Sequence, residues 1–171
     1  MNNRQSIRLK GWNYSRGLYF VTVDVKDKWK LFWEKKGEKI PNTKGGHIGP
    51  PVQNKIGNMI DYWWKEIPNH FVNISLDEYV VMPDHLHGIL LLNNSVGVDR
   101  CVDPKLGDVI QWFKTMTTNE YFKGVNEFSW PRINKRLWQR NYFEEIIRGE
   151  EQLNQTRKYI FENTIKWINQ M

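Results

Sequence analysis

Two apolar runs near the middle of the chain are separated only by a proline–aspartate pair. The first is LDEYVVMPD at 76–84, and HLHGILLL at 85–92 follows it at once. Their β-branched, aromatic and aliphatic residues predict two strands, and Pro83 with Asp84 predicts a turn. Strands joined by so short a connection pair antiparallel. We therefore expect an antiparallel hairpin of strands 76–82 and 85–92, around which the other segments pack.

The segments before this hairpin predict one strand and one helix. The residues GLYFVTVDV at 17–25 alternate and are rich in β-branched and aromatic side chains, which predicts a strand. The stretch at 35–51 contains four glycines and three prolines and predicts a loop. Apolar residues recur at helical spacing over 52–66, which predicts an amphipathic helix that Pro68 ends.

The segments after the hairpin repeat this alternation. A polar loop is expected over 93–104, a helix over 105–122, a strand over 137–147 and a closing helix over 150–168. The order β-α-β-β-α-β plus a terminal helix is that of a ferredoxin-like split βαβ fold. This is an α+β fold with an antiparallel sheet and helices packed on one side. At 171 residues, we expect a single domain over 1–171.

The charge balance favours a polyanionic partner. The chain has 25 lysine and arginine residues against 19 acidic ones, a formal net charge of +6, and nine tryptophans. Tryptophans adjoin lysines in KDKWKLFWEKK at 26–36. Cations beside large aromatic rings suit single-stranded nucleic acid, because they neutralise phosphates and stack on bases. An aromatic-rich protein with a solvated basic surface would have the same composition, so composition alone leaves both readings open.

The composition also disfavours several classes of protein. Cys101 is the only cysteine, which excludes an intramolecular disulfide and a cysteine-rich zinc site. The longest purely aliphatic run is ILLL at 89–92, so we expect no membrane span and no secretory leader. The simplest expectation is a cytoplasmic protein that works at the nucleoid.

Two histidines begin the second strand of the hairpin. His85 and His87 are two residues apart, and alternate residues of a strand point to the same face. Their imidazoles therefore converge, either as part of a metal site or as a polar pair at a strand end. A catalytic metal generally needs a third protein ligand. The other histidines, His47 and His70, lie in predicted loops and are expected at the surface.

The terminal helix offers candidates for completing such a site. Leu153 and Ile160 fall on a seam that is expected to pack on the sheet. Tyr159 and Asn163 are four residues apart and lie one above the other along an edge of that seam. The helix would therefore present a phenol and an amide oxygen beside the sheet. A packing tyrosine and a polar helix-end asparagine remain the alternative.

The sequence resembles the single-tyrosine HUH transposases. EYVVMPDHLHGIL resembles their His-hydrophobic-His signature, and LWQRNYFEEIIRGEEQLNQTRKYIFEN resembles the C-terminal signature of the REP-associated tyrosine transposases. The opening RQSIRLKGWNYSRGLYFVTVDV and the middle GDVIQWFKTMTT also resemble the corresponding segments of that family. The resemblance therefore covers nearly the whole chain.

This resemblance implies a metal-dependent DNA strand transferase. His85, His87 and Asn163 would bind a divalent ion, Mg²⁺ or Mn²⁺, and Tyr159 would be the nucleophile. The substrate would be single-stranded DNA with a hairpin or palindromic element, cleaved through a 5′-phosphotyrosine link. The sequence departs from the family pattern at Thr164, where a proline is common, and at Asp84, where an asparagine is common. An extra carboxylate near the ion could change the metal preference.

Several alternatives remain open at this point. Tyr142 is a rival nucleophile, although no metal-binding side chain stands at a suitable spacing from it. The same scaffold could be a non-catalytic binder of single-stranded or hairpin DNA, or a nickase of plasmid replication or transfer. Monomer and homodimer are equally open, as is action of the tyrosine helix in cis or in trans. The candidate DNA-contacting residues are Arg16, Lys26, Lys28, Lys114, Arg140 and Arg148.

Overall fold

A computed structural model describes residues 16–34, 53–93, 103–134 and 136–170. The strands are β1 (Gly17–Asp24), β2 (Ile74–Val81), β3 (His85–Leu92) and β4 (Phe143–Ile147). The helices are α1 (Lys55–Lys65), α2 (Ile67–His70), α3 (Leu106–Glu127) and α4 (Glu150–Gln170), with a short 3-10 helix at Lys26–Lys28.

The four strands form one antiparallel sheet in the order β2-β3-β1-β4. The predicted hairpin is present as β2 and β3, and the amide of Met82 donates to the carbonyl of His85 across the turn over 2.8 Å. Strand β1 lies between β3 and β4, so that Thr22 is opposite both His87 and Phe143. The predicted α+β class with an antiparallel sheet is confirmed.

The two faces of the sheet bury different groups of side chains. Alternate β1 residues Tyr19, Val21 and Val23 join the main core, together with apolar residues of α1 and α3. The intervening Phe20 faces the opposite side, where it packs with Ile89, Ile147 and Ile160 of α4. Because strand side chains alternate, one helix pair covers one face and α4 covers the other.

A glycine lets a tryptophan of α1 lie against the middle of β3. Gly88 directly follows His87, and a Cβ at this position would stand 2.3 Å from Cζ2 of Trp64. The Trp64 side chain is fully buried and forms part of the main core. The close approach of helix and sheet beneath the histidine strand therefore requires glycine at position 88.

One predicted boundary was wrong. The strand expected over 137–147 begins only at Phe143, and Trp138 makes just an isolated bridge to Val25. The carbonyls of residues 139–141 accept from Nζ of Lys114 instead of a neighbouring strand.

Helix α1, expected over 52–66, covers Lys55–Lys65 and so ends within one residue of the expected end. Pro68 lies in the first turn of α2, where a missing N–H is tolerated.

The other elements agree with the sequence expectation to within a few residues. Strand β2 begins two residues earlier than expected, at Ile74, and α3 continues to Glu127. The loop predicted over 35–51, most of the loop over 93–104, and His47 lie outside the described residues. None of the described helices is long and apolar enough to span a membrane.

Candidate metal and tyrosine site

The imidazoles of His85 and His87 meet on the sheet face covered by α4. Their Nε2 atoms are 3.0 Å apart. The Nδ1 atom of His85 is 2.6 Å from Oδ1 of Asp84, and the Nδ1 atom of His87 is 2.8 Å from Oγ1 of Thr22. Each ring is therefore oriented through Nδ1, which directs its Nε2 toward the other ring.

Hydrogen bonding and burial shift the pKa values of Asp84 and His87. Burial alone would raise the pKa of Asp84, but its hydrogen bond with His85 and the nearby positive charges hold that pKa below its usual value. Burial lowers the pKa of His87 to about 3, and the charges of His85 and Lys28 act in the same direction. His87 is thus a neutral imidazole at physiological pH, which is the form that binds metals.

The two Nε2 atoms are spaced as a pair of metal ligands would be. Two nitrogens that lie about 2.1 Å from one ion, at a right angle, are about 3 Å apart. Oriented Nδ1 partners of the kind provided by Asp84 and Thr22 are a regular feature of histidine ligands. No group of three or more His, Cys, Asp and Glu side chains in the described residues could hold a metal ion. Among the described residues, a third ligand beside this pair would then come from another type of group, such as an amide or hydroxyl oxygen.

Asn163 carries an amide oxygen and lies on α4, the helix that covers this face. Its side-chain Nδ2 is buried and has no hydrogen-bond partner in the described part of the chain. A buried N–H donor without a partner costs free energy and needs an acceptor, such as a water oxygen or a phosphate oxygen of a substrate. The metal-binding atom of this amide would be its oxygen, and two imidazoles with one amide oxygen would suit a divalent ion that keeps open positions for substrate.

Tyr159 lies beside the histidine pair. Its ring centroid is 5.5 Å from that of His87 and 5.9 Å from that of Phe20. Phe20 in turn stacks on His87 at 5.4 Å. The side chain of Tyr159 remains 47% exposed, so a large substrate can reach it. Phe20 was not singled out from the sequence. The available signal was the alternation of the strand predicted at 17–25, which places Phe20 and Thr22 on the same face.

Helix α4 is held on the sheet by an apolar cluster and by polar contacts that include an ion pair. Ile160 is only 3% exposed and packs with Phe20 and Ile89, and Leu153 joins this cluster as the seam predicted. Arg157 makes a two-point ion pair with Asp77 of β2. The side chain of Thr164 lies outside the described residues. These contacts place Tyr159 over the histidine face.

The predicted DNA-contacting residues fall into three groups. Lys26 and Lys28 follow β1 at the histidine end of the sheet, where Lys28 pairs with Asp24. Arg16 and Arg148 flank the paired residues 18 and 147 at the opposite end.

Lys114 and Arg140 lie on the α3 face, away from the histidine pair. Tyr142, the rival nucleophile, is on that same face, with Nζ of Lys114 5.4 Å from its ring centroid. His70 is exposed, as predicted, but it is the last residue of α2 rather than part of a loop, and it stacks on Trp112 at 4.5 Å.

A family model described as transposase, IS200-like, matches residues 50–163, two-thirds of the chain. The chain belongs to the IS200-like transposase family. The matched range contains both histidines and Tyr159, and it ends at Asn163. Membership implies DNA endonuclease or strand-transferase activity, and metal dependence is general in this family.

Similar proteins extend the match over almost the whole chain. An uncharacterised protein of Haemophilus influenzae strain Rd is 35% identical over 188 aligned positions, which cover 98% of this chain and 91% of the relative.

Among solved structures, a REP-associated tyrosine transposase bound to a REP hairpin has a TM-score of 0.60 and 17% identity. The alignment covers 93% of this IS200-like transposase and 73% of that chain. A protein of Deinococcus radiodurans R1 with a provisional transposase name has a TM-score of 0.50 and 16% identity. That alignment covers 92% of this chain and 96% of the Deinococcus chain. At these identities the structural likeness shows the fold.

Proposed function

We propose that this IS200-like transposase cleaves and rejoins single-stranded DNA through a covalent link to Tyr159. In this proposal His85, His87 and Asn163 hold a divalent ion, Mg²⁺ or Mn²⁺, and the whole chain, 1–171, works as one HUH domain. The observation that supports it best is the 5.5 Å distance between the rings of Tyr159 and His87, beside two Nε2 atoms 3.0 Å apart.

Each of these side chains has a distinct task in the proposed reaction. The phenol of Tyr159 gives its proton to solvent as its oxygen forms a bond to phosphorus, the bond from phosphorus to the 3′ oxygen breaks, and that oxygen takes a proton from solvent and leaves as a hydroxyl. His85, His87 and Asn163 would hold the ion, which would supply polarisation of the scissile phosphate and offset the charge that develops on its oxygens. Attack by a 3′-hydroxyl of a second strand on the phosphotyrosine reverses the step and joins the strands.

Asp84 and Thr22 act by orienting the imidazoles. Asp84 is an ionised carboxylate and can only accept a hydrogen bond, so Nδ1 of His85 donates and Nε2 is left as the ligand atom. Phe20 limits the movement of both His87 and Tyr159 by contacting the two rings. These residues keep nucleophile and ligands in a fixed arrangement, which reduces the entropy lost on reaching the transition state.

The proposed substrate is single-stranded DNA next to a hairpin or palindrome. The net charge of +6 suits a phosphate backbone. One structural relative was solved with a REP hairpin, and we extend that kind of element to this protein as part of the proposal. Such a role would have the protein act on chromosomal DNA, at the nucleoid in the cytoplasm.

The test is a covalent-capture assay on hairpin-flanked single-stranded DNA with Mn²⁺. A 5′-phosphotyrosine link leaves the protein on the 3′ fragment, so the label belongs at the 3′ end. We expect a labelled protein-sized band on a denaturing gel. Tyr159→Phe or a chelator should abolish the band, and Tyr142→Phe should retain it.

Other outcomes separate the alternatives. A band that survives Tyr159→Phe and disappears in Tyr142→Phe would assign the nucleophile to the other tyrosine. Complexes on native gels without any covalent band, over a library of hairpins, would indicate a non-catalytic binder. A covalent band without strand joining, when a second 3′ end is supplied, would favour a nickase.

A further inference from the structure

A cleft of about 550 Å³ lies on the α3 face of the sheet. One wall is a stripe of α3 residues, and the other is the irregular segment 136–142 that leads into β4. The volume is within the range of small-molecule sites and is far too small for a double helix. Its polar lining residues are Gln111, Lys114, Thr115, Thr118, Asn119, Arg136, Gln139, Arg140 and Tyr142.

The cleft is lined by positively charged side chains and by side-chain amides that make no hydrogen bond to another described residue. No described residue that lines the cleft is acidic. Arg136 and Arg140 are exposed, and within the described ranges neither guanidinium is paired with a carboxylate. The side-chain amides of Gln111 and Asn119 likewise have no hydrogen-bond partner among the described residues. A ligand that carries both negative charge and hydrogen-bonding edges would complement this lining.

The wall formed by segment 136–142 is held in position by hydrogen bonds to α3. Nζ of Lys114 donates to the carbonyls of Gln139, Arg140 and Asn141 over 3.0, 3.5 and 3.1 Å. Nε1 of Trp138 donates to Oγ1 of Thr117 over 2.8 Å. The cleft is therefore formed before a ligand arrives, which lowers the entropic cost of binding.

A continuous path leads from this cleft to the tyrosine site. Tyr142 lines the cleft, and Phe143, the next residue, begins β4 on the opposite face of the sheet. The ring of Phe143 is 49% exposed and lies 6.3 Å from that of Phe20. Phe20 contacts both His87 and Tyr159. Exposed aromatic rings along a path are the surfaces on which the bases of a single strand stack.

We propose that this cleft binds one or two unstacked nucleotides of the single strand on which the protein acts. Arg136 and Arg140 contact the phosphates, and Gln111 and Asn119 contact the edges of a base, since amides read bases through paired donor and acceptor atoms. The strand then continues over Phe143 toward the tyrosine site. The identity of the strand rests on the proposed function, whereas the binding site itself rests on the cleft.

Photo-crosslinking tests where the strand lies without requiring cleavage. The probe is a single-stranded oligonucleotide of about 12 nucleotides with 4-thiothymidine at successive positions, a length within the usual site size. It is irradiated with the full chain bearing Tyr159→Phe, and cross-linked peptides are identified by mass spectrometry. We expect peptides from segment 136–142 or from α3. Cross-links confined to the histidine face would overturn the proposal.

Binding measurements with matched variants provide the second test. Arg136→Ala/Arg140→Ala is compared with Arg132→Ala/Lys123→Ala, which removes the same charge from exposed positions outside the cleft. We expect the first pair to weaken oligonucleotide binding about tenfold. The slope of log affinity against log salt should fall by about 1.4 for two lost phosphate contacts. Equal losses of affinity in the two double variants would show a general effect of charge and would refute phosphate binding in the cleft.

The amide pair distinguishes base contact from phosphate contact. Gln111→Ala/Asn119→Ala should change the preference among oligonucleotides of different base while leaving the salt slope unchanged. Unaltered base preference would limit the cleft to the backbone and remove the base-reading part of the proposal.

The failure of each proposal has its own signature. Cross-links in the cleft without any covalent Tyr159 product would leave the cleft standing and refute cleavage. A Tyr159-dependent covalent band without cleft cross-links would support cleavage and refute the cleft as a nucleotide-binding site.

Discussion

Arg157 of α4 donates two hydrogen bonds to Asp77 of β2, from Nε to Oδ1 over 2.8 Å and from Nη2 to Oδ2 over 2.6 Å. Arg157 is two residues before Tyr159, and Asp77 belongs to the sheet of the same chain. A two-point contact of this kind fixes orientation as well as distance. In the described structure this contact therefore ties α4 to the sheet two residues before Tyr159, and so helps to orient the tyrosine.

Removing the charge of Asp77 should slow the proposed cleavage more than it weakens DNA binding. Asp77→Asn leaves a similar shape but loses the carboxylate that orients Arg157, so Tyr159 samples more positions. We expect covalent product to form about tenfold more slowly, because small displacements of reacting groups are costly. Rates come from quenched gels, and hairpin affinity from native gels.

Glu78→Gln is the matched control, because Glu78 is an exposed neighbour on the same strand that attracts Arg157 through its charge and makes no hydrogen bond to it. Asp77→Glu should recover part of the rate. If both substitutions at position 77 behave like wild type, the ion pair has no part in positioning the tyrosine.

The same ion pair should make stability depend on pH. The hydrogen bonds from Arg157 hold the pKa of Asp77 below its usual range in the folded protein. A carboxyl with a lowered folded pKa stabilises the fold fully above its unfolded pKa of about 3.9, and loses that contribution as pH falls through the folded value. The difference in melting temperature between wild type and Asp77→Asn should therefore shrink below about pH 4. Thermal unfolding followed by circular dichroism, from neutral to acid pH, measures this difference in melting temperature. A difference that does not change with pH would contradict a lowered pKa of Asp77.

Thr22→Val should weaken metal binding without disturbing the sheet. Valine is β-branched like threonine and suits a central strand, but it removes the oxygen that lies 2.8 Å from Nδ1 of His87. Loss of such an orienting partner typically lowers metal affinity about 10- to 100-fold. Calorimetric titration with Mn²⁺ tests this, with Thr115→Val on the other face as the control. Unchanged Mn²⁺ affinity in Thr22→Val would show that His87 needs no such support.

The parts of this fold that the sequence predicted are those governed by local periodicity. The alternation of 85–92 placed His85 and His87 on one face, and the structure gives the same strand bounds and brings the rings together. The spacing of Tyr159 and Asn163 on α4 was likewise readable, because a helix repeats every 3.6 residues. Strong short-range patterns of this kind survive in the tertiary structure.

The features that escaped prediction depend on contacts between distant residues. The carbonyls of Gln139 and Asn141 accept hydrogen bonds from Lys114, about 25 positions away, rather than from a neighbouring strand. The contact between Arg157 and Asp77 spans 80 residues. Phe20 becomes part of the site only because β1 pairs with β3. No local pattern encodes these pairings, so the support of the site became visible only in the folded chain.

Gly88→Ala should affect both the fold and the histidine site. The new Cβ would lie 2.3 Å from Cζ2 of Trp64 and 3.0 Å from Cε2, so either the indole or strand β3 must shift. Overpacking of this kind costs about 1–3 kcal/mol. Because His87 adjoins position 88, we also expect weaker Mn²⁺ binding. Adding Trp64→Phe removes the colliding ring atoms and should restore part of both properties. Urea unfolding and calorimetry measure the two effects; wild-type values for Gly88→Ala would mean that the indole moves without cost.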